Sequence, residues 1–181
     1  ILGLPKEEDW ILHANHVDKT FLRNTLSYHI WRKIGYWSSN TIYVELVLDG
    51  DYRGLYTLME KNKRDKNRVD IAKLDSDDNL GDSLTGGYII RMDWPEGDGF
   101  YSNYNSQDGS PLYFQYYYPK ATKITNQQKA YIQSYLQIFE NSLYSSNLQN
   151  LSTHYLNYID LTTFAAAVSY THLRAHETQS D

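Results

Sequence analysis

Apolar residues recur at every fourth position early in the chain. Leu22, Leu26, Ile30 and Ile34 fall on one side of a 3.6-residue repeat. The spacing predicts a helix from Lys19 to Ile34, capped by Asp18 and stopped by Gly35. The stripe is expected to be buried, with Phe21 and Thr25 widening it. The period then changes. Tyr43 to Leu48 and Tyr52 to Met59 are rich in β-branched and aromatic residues, as strands are. Asp49-Gly50 between them accepts positive φ and predicts a tight hairpin. Gly54 inside the second strand predicts a bulge or a close neighbour.

Further along, Tyr88 to Met92 and Leu112 to Tyr118 read as two more strands. Asp75 to Gly87 reads as an acidic loop. Trp94 to Ser110, rich in Gly, Asn, Ser and Asp, reads as a long loop or insertion. Thr125 and Gln128 have capping-box spacing. They precede Ile132, Leu136, Phe139 and Leu143, the apolar face of a second helix. Asp160 is placed to cap a third helix from Leu161. No internal repeat is present. The expected fold class is α+β.

Composition narrows the choice of partner. An apolar fraction of 41% is too high for a disordered chain. A net charge of -5 argues against a protein built to grip nucleic acid. With no cysteine, disulfides, thiolate metal sites and cysteine nucleophiles are excluded. Tyrosine outnumbers phenylalanine 18 to 5. Tyr pairs apolar area with a polar tip, which suits wet interfaces and favours an extracellular or cell-surface setting. No apolar run approaches the ~20 residues of a membrane span. The opening Ile1-Leu2-Gly3-Leu4-Pro5 reads as mid-domain, so truncation is expected.

Three motifs offer chemistry and fall short of it. Gly81-Asp82-Ser83-Leu84 spells a lipase-like hydrolase signature. An acidic loop precedes it where a buried strand is required, and no Asp-x-x-His follows to activate Ser83. The stretch Lys61 to Arg68 holds five basic residues, but Glu60, Asp65 and Asp70 interrupt the charge, so a solvated loop is expected. His172 and His176 have helical metal-ligand spacing, yet Glu177 follows the second His rather than the first. The segment Val168 to Thr178 resembles a translated sequencing-adapter read-through. Residues 166–181 are therefore set apart from fold reasoning.

Several blocks in fixed order carry a family resemblance. They are Asp9-Trp10-Ile11-Leu12-His13-Ala14, Asp18 to Asn24, Val44-Glu45-Leu46, Asp49 to Tyr56 and Leu58-Met59-Glu60-Lys61. Lys63 to Asp70, Gly86-Gly87-Tyr88-Ile89-Ile90 and Tyr118-Pro119-Lys120 complete the set. Together they resemble the CotH kinase family, the spore-coat CotH-like atypical protein kinases, with 1–165 as a partial domain. The resemblance implies a partial kinase-like fold: a small-lobe helix and hairpin, then the start of a helical large lobe. It implies ATP and Mg²⁺ for the intact parent, and transfer of phosphate to Ser or Thr of a protein substrate.

In the family pattern a basic strand residue lies before Ile1, and the two key Asp residues lie beyond this chain. The resemblance thus leaves no catalytic residue and no metal ligand here. The fragment is expected to be inactive and to bind no cofactor tightly. Glu60 and Lys61 remain as residues facing the nucleotide. The plainer alternative makes both solvated charges at a strand end. Asp18, Lys19 and Arg23 have a similar plain role, a helix cap with surface ion pairs. A non-enzymatic alternative for the parent is a cell-surface or spore-coat binding protein, with Phe100 to Tyr118 as its contact surface.

Overall fold

A computed structural model describes residues 2–144, 157–160 and 163. The fold is α+β, and the chain divides into two compact units, 1–71 and Ala72 onward.

The first unit contains β1 (Trp10–His13), α1 (Arg23–Lys33), β2 (Thr41–Leu48) and β3 (Asp51–Glu60). The strands form an antiparallel sheet in the order β1-β3-β2. The predicted hairpin is present. Asp49 and Gly50 both take positive φ, 52° and 86°, as a tight two-residue turn requires. Leu46 pairs with Gly54 while Val47 pairs with Tyr52, so Arg53 is an extra residue on β3. Gly54 sits in this bulge at φ 102°. A Cβ there would meet nothing within 4 Å. Backbone conformation, not crowding, selects glycine.

Helix α1 departs from expectation at its start and on its face. Asp18 does cap, but it closes the loop before the helix. Its Oδ1 accepts from Thr20 N at 3.1 Å and its Oδ2 from Arg23 N at 3.0 Å. Phe21 at φ 60° cannot continue a right-handed helix, so α1 begins at Arg23 rather than Lys19. The stripe expected to be buried is turned outward: Leu22, Leu26, Ile30 and Ile34 are 47% to 56% exposed. The partly covered side carries Asn24, Thr25, Tyr28, Trp31 and Arg32. Polar ties set that orientation. Asn24 Nδ2 lies 3.2 Å from His13 Nε2, and Arg32 Nη1 donates to Ser39 O at 2.5 Å.

The second unit contains α2 (Gly81–Leu84), β4 (Ile89–Met92), β5 (Gly99–Asn105), β6 (Pro111–Tyr118) and α3 (Asn126–Tyr144). Its antiparallel sheet runs β4-β6-β5. Strand β5 corrects the loop expected over Trp94 to Ser110. Its composition is loop-like, but Phe100 and Ser102 alternate with exposed Tyr101 and Asn103 as a pleat requires. Gly99 allows the close approach of β5 to β6, since a Cβ there would lie 2.2 Å from Phe114 O. Tyr116, Ile124 and Ile132 form the core, with Tyr88, Ile90, Phe100, Tyr131 and Leu136 packed around it.

The capping box at α3 forms as predicted. Gln128 N donates to Thr125 Oγ1 at 3.2 Å, and Thr125 N donates back to Gln128 Oε1 at 3.1 Å. Gln128 is wholly buried, and its Nε2 also donates to Asp75 O at 2.6 Å and Asp78 O at 3.2 Å. Asp160 Oδ1 accepts from Thr163 N at 2.6 Å, as a cap does. Leu161 and the tail with His172 and His176 lie outside the described residues. No helix among the described residues is long and apolar enough to cross a membrane.

Candidate functional site

The end of β3 gathers most of the first unit's buried charge. Trp10 and Glu60 are direct partners across β1 and β3, so their side chains share one face of the sheet. Glu60 is 0% exposed. Its Oε2 accepts from Asn40 N at 2.9 Å and from Asn40 Nδ2 at 3.0 Å. Its Oε1 has no hydrogen-bond partner. Ser39 Oγ donates to Glu60 O at 2.7 Å, and Arg32 holds Ser39 from the last turn of α1. The helix end, the linker and the strand end are thus tied in series.

Arg68 returns to the same place. Its guanidinium carbon lies 5.3 Å from the centre of the Trp10 ring, a cation–π contact. Nη1 donates to Lys61 O at 2.6 Å. The side chain is almost wholly buried, yet Nε and Nη2 have no partner. Those two nitrogens form the edge of a guanidinium that grips a carboxylate or phosphate through two parallel bonds. Lys61 itself is exposed.

Lys63 is fixed from the chain's beginning. Its Nζ lies 2.7 Å from Glu7 Oε1 and 2.6 Å from Asp9 Oδ2. The hydrogen bond from Lys63, helped by the Glu8 backbone N–H, lowers the Glu7 carboxyl to about 2. The same ammonium lowers Asp9. Asp9 and then Glu7 in turn raise Lys63.

Two expectations therefore need correction. The stretch Lys61 to Arg68 is not a solvated loop throughout: Lys63 is ion-paired and Arg68 is buried, while Lys61, Lys66 and Asn67 are exposed. Nor is Glu60 a solvated charge, because its carboxylate is sealed beneath Asn40. Sequence reasoning singled out Glu60 and Lys61, weighed Arg68 only as one charge of a solvated loop, and gave no site role to Trp10, Asn40 or Glu7. Arg68 carried a faint signal, since Val69 and Ile71 flank Asp70 in strand-like alternation beside it.

The other candidates do not converge on chemistry. Ser83 Oγ donates to Leu80 O at 2.9 Å on the one-turn α2, a local bond with no base in it. The aromatic run Phe100 to Tyr118 is largely inward, with Phe114 and Tyr116 buried and Tyr101 exposed. A cleft of about 130 Å³ lies between β5 and α3, lined by Phe100, Tyr101, Asn103, Gln133, Gln137 and Glu140. A shallower one of about 260 Å³ is bordered by Met92, Trp94 and Tyr113. Among the described residues no three His, Asp or Glu side chains meet to hold a metal ion.

The donor set at the end of β3 fits a phosphate group in part. The exposed Lys61 ammonium and the unmatched edge of Arg68 are cations in the right chemistry, but Arg68 is sealed from solvent. Among the described residues there is no ready-made cluster of three Mg²⁺ ligands. No curated protein and no solved structure matches the chain. A family model described as CotH kinase protein matches residues 1–168. That stretch includes every ordered block named above, from Asp9 to Lys120, and the chain belongs to the CotH kinase family.

Proposed function

We propose that the domain containing this chain transfers phosphate from ATP, with Mg²⁺, to Ser or Thr hydroxyls of a protein. The chain's part in that reaction is to shape the nucleotide side of the site at the end of β3. Lys61 presents a cation to the phosphates. Glu60 acts beneath it as a positioning residue, since its carboxylate braces Asn40 and fixes where the strand ends. The observation that carries this assignment is the family match, joined to an exposed Lys directly after a buried, braced Glu.

ATP when bound supplies the phosphoryl group. This chain supplies charge and position. No step is assigned to Mg²⁺ through these residues. Lys61→Ala in the intact parent domain is expected to weaken ATP binding about tenfold, the effect of losing one charge-assisted hydrogen bond. Unchanged affinity by titration calorimetry rules out the role given to Lys61. Labelling of a protein substrate with [γ-³²P]ATP tests the rest. The intact domain is expected to label it and the 181-residue polypeptide alone is not.

A non-catalytic surface protein is the second reading. What favours it is the exposure of Trp94 and Met92 beside the shallow cleft. Absence of ATP binding by the intact domain, with retained binding of a surface partner lost in Trp94→Ala, would decide for it.

A further inference from the structure

We infer that the cleft between β5 and α3 is a receptor for a basic side chain, the Lys or Arg of a partner polypeptide. The inference concerns the second unit alone and does not rest on phosphoryl transfer.

The starting point is Glu140. It is only 7% exposed, on a helix face directed at β5. Its Oε1 accepts a hydrogen bond from Ser102 Oγ at 2.5 Å. Ser102 is held for that role, because its Oγ also accepts from Tyr104 N at 2.9 Å. Among the described residues Glu140 has no cationic partner. A glutamate this little exposed is ordinarily paired with a cation. Lys129, on the same helix, is committed elsewhere: its Nζ lies 2.5 Å from Asp98 Oδ2.

The lining joins this carboxylate to three side-chain amides and two aromatic rings. Gln133 Nε2 donates to Tyr116 OH at 2.6 Å, which fixes the amide and leaves its oxygen without a demand from the fold. Gln137 and Asn103 add two more carboxamides to the lining, each able to turn an acceptor oxygen to a cation. Phe100 and Tyr101 contribute aromatic rings. Carboxylate, amide oxygens and rings form the set that recognises a donor-rich organic cation. A hydroxyl-rich sugar is a poorer match, because it does not neutralise the carboxylate. The volume of about 130 Å³ suits the end of one side chain rather than a whole metabolite. A net charge of -5 draws a basic partner from a distance.

The test is a titration of the ¹⁵N-labelled 181-residue chain, followed through the side-chain amides of Asn103, Gln133 and Gln137. The probes are Nα-acetyl-arginine methylamide, Nα-acetyl-lysine methylamide, methyl glucoside and Nα-acetyl-glutamate methylamide. Saturable shifts with one or both basic probes are expected, with a Kd on the order of 1 mM, and none with the other two. Which basic probe binds more tightly separates an Arg seat from a Lys seat. Glu140→Gln keeps the shape and removes the charge, and is expected to weaken binding at least tenfold. Gln137→Ala, which lines the cleft without anchoring the fold, is expected to weaken it severalfold. No shift with either basic probe, an equal response to methyl glucoside, or unchanged binding in both variants overturns the inference.

Discussion

Gln128 in the second unit and Arg68 in the first are both sealed from water, but they are provided for differently. Gln128 donates twice to backbone carbonyls and accepts once, so its burial leaves nothing unmatched. Arg68 donates once, and its two-nitrogen edge points at no acceptor. Glu60, a few residues upstream on the same unit, likewise leaves Oε1 unmatched. The second unit has an apolar centre in which Tyr116, Ile124 and Ile132 meet. The first has an outward apolar stripe on α1 and charge inside. The contrast teaches that a fully matched polar group marks structure that is complete in itself. Buried charged groups with unmatched atoms mark a place that is held at a cost in stability.

The comparison breaks most readily in the second unit. Gly99→Ala drives a methyl group into Phe114 O and the Tyr113 ring. It is expected to destabilise that unit by about 3 kcal/mol, read as lost amide-exchange protection in β5 and β6. Gln128→Leu comes next. It strips two carbonyls and a cap of their partner, at about 2 kcal/mol; a loss under half that size would mean the matching is not what holds α3 in place. In the first unit the sign reverses. Arg68→Met keeps the contact with Trp10 and removes an unmatched charge, and is expected to stabilise by about 1 kcal/mol. Destabilisation by urea unfolding would show that Arg68 already has the partner it lacks here.

Smaller still is Leu26→Glu on the outward stripe, expected within about 0.5 kcal/mol of the starting stability. A larger loss would mean the stripe is covered. Lys63→Met has the least effect at neutral pH, because its ion pairs are partly solvated. Its signature lies in acid. Glu7 and Asp9 are lowered, so their contribution is present above the ordinary carboxyl value, 4.5 for Glu7, and is lost as pH falls towards about 2. Lys63 is raised, so its contribution is present below 10.5 and is lost above it. The variant should flatten the acid limb of the first unit's stability curve.

Much of this architecture was legible where chemistry is local. Asp49-Gly50 specifies its turn through φ alone, and Thr125 with Gln128 specifies its cap through two bonds between near neighbours. The face of α1 was not legible in the same way. Periodicity says that Leu22, Leu26, Ile30 and Ile34 share a side, but not that Arg32 and Asn24 anchor the opposite one. Strand β5 was hidden because Ser, Asn and Gly are turn formers by composition, and only its pairing with β6 makes it a strand. At the site, Glu60 and Lys61 were singled out by the family resemblance, while their local sequence alone reads as solvated charge. Arg68 was not, since its burial depends on Trp10, fifty-eight positions away.

The extra residue in β3 has a consequence for how this hairpin can fail. With Arg53 looped aside, Glu60 and Leu58 stay on Trp10's side and Met59 and Thr57 on the other. A bulky β-branched residue in place of Gly54 resists φ 102° and favours an even ladder, in which Arg53 would take Gly54's position opposite Leu46. Every residue from Gly54 to Glu60 would then exchange sides. One hydrogen atom in place of a side chain thus decides which way round the sheet is worn.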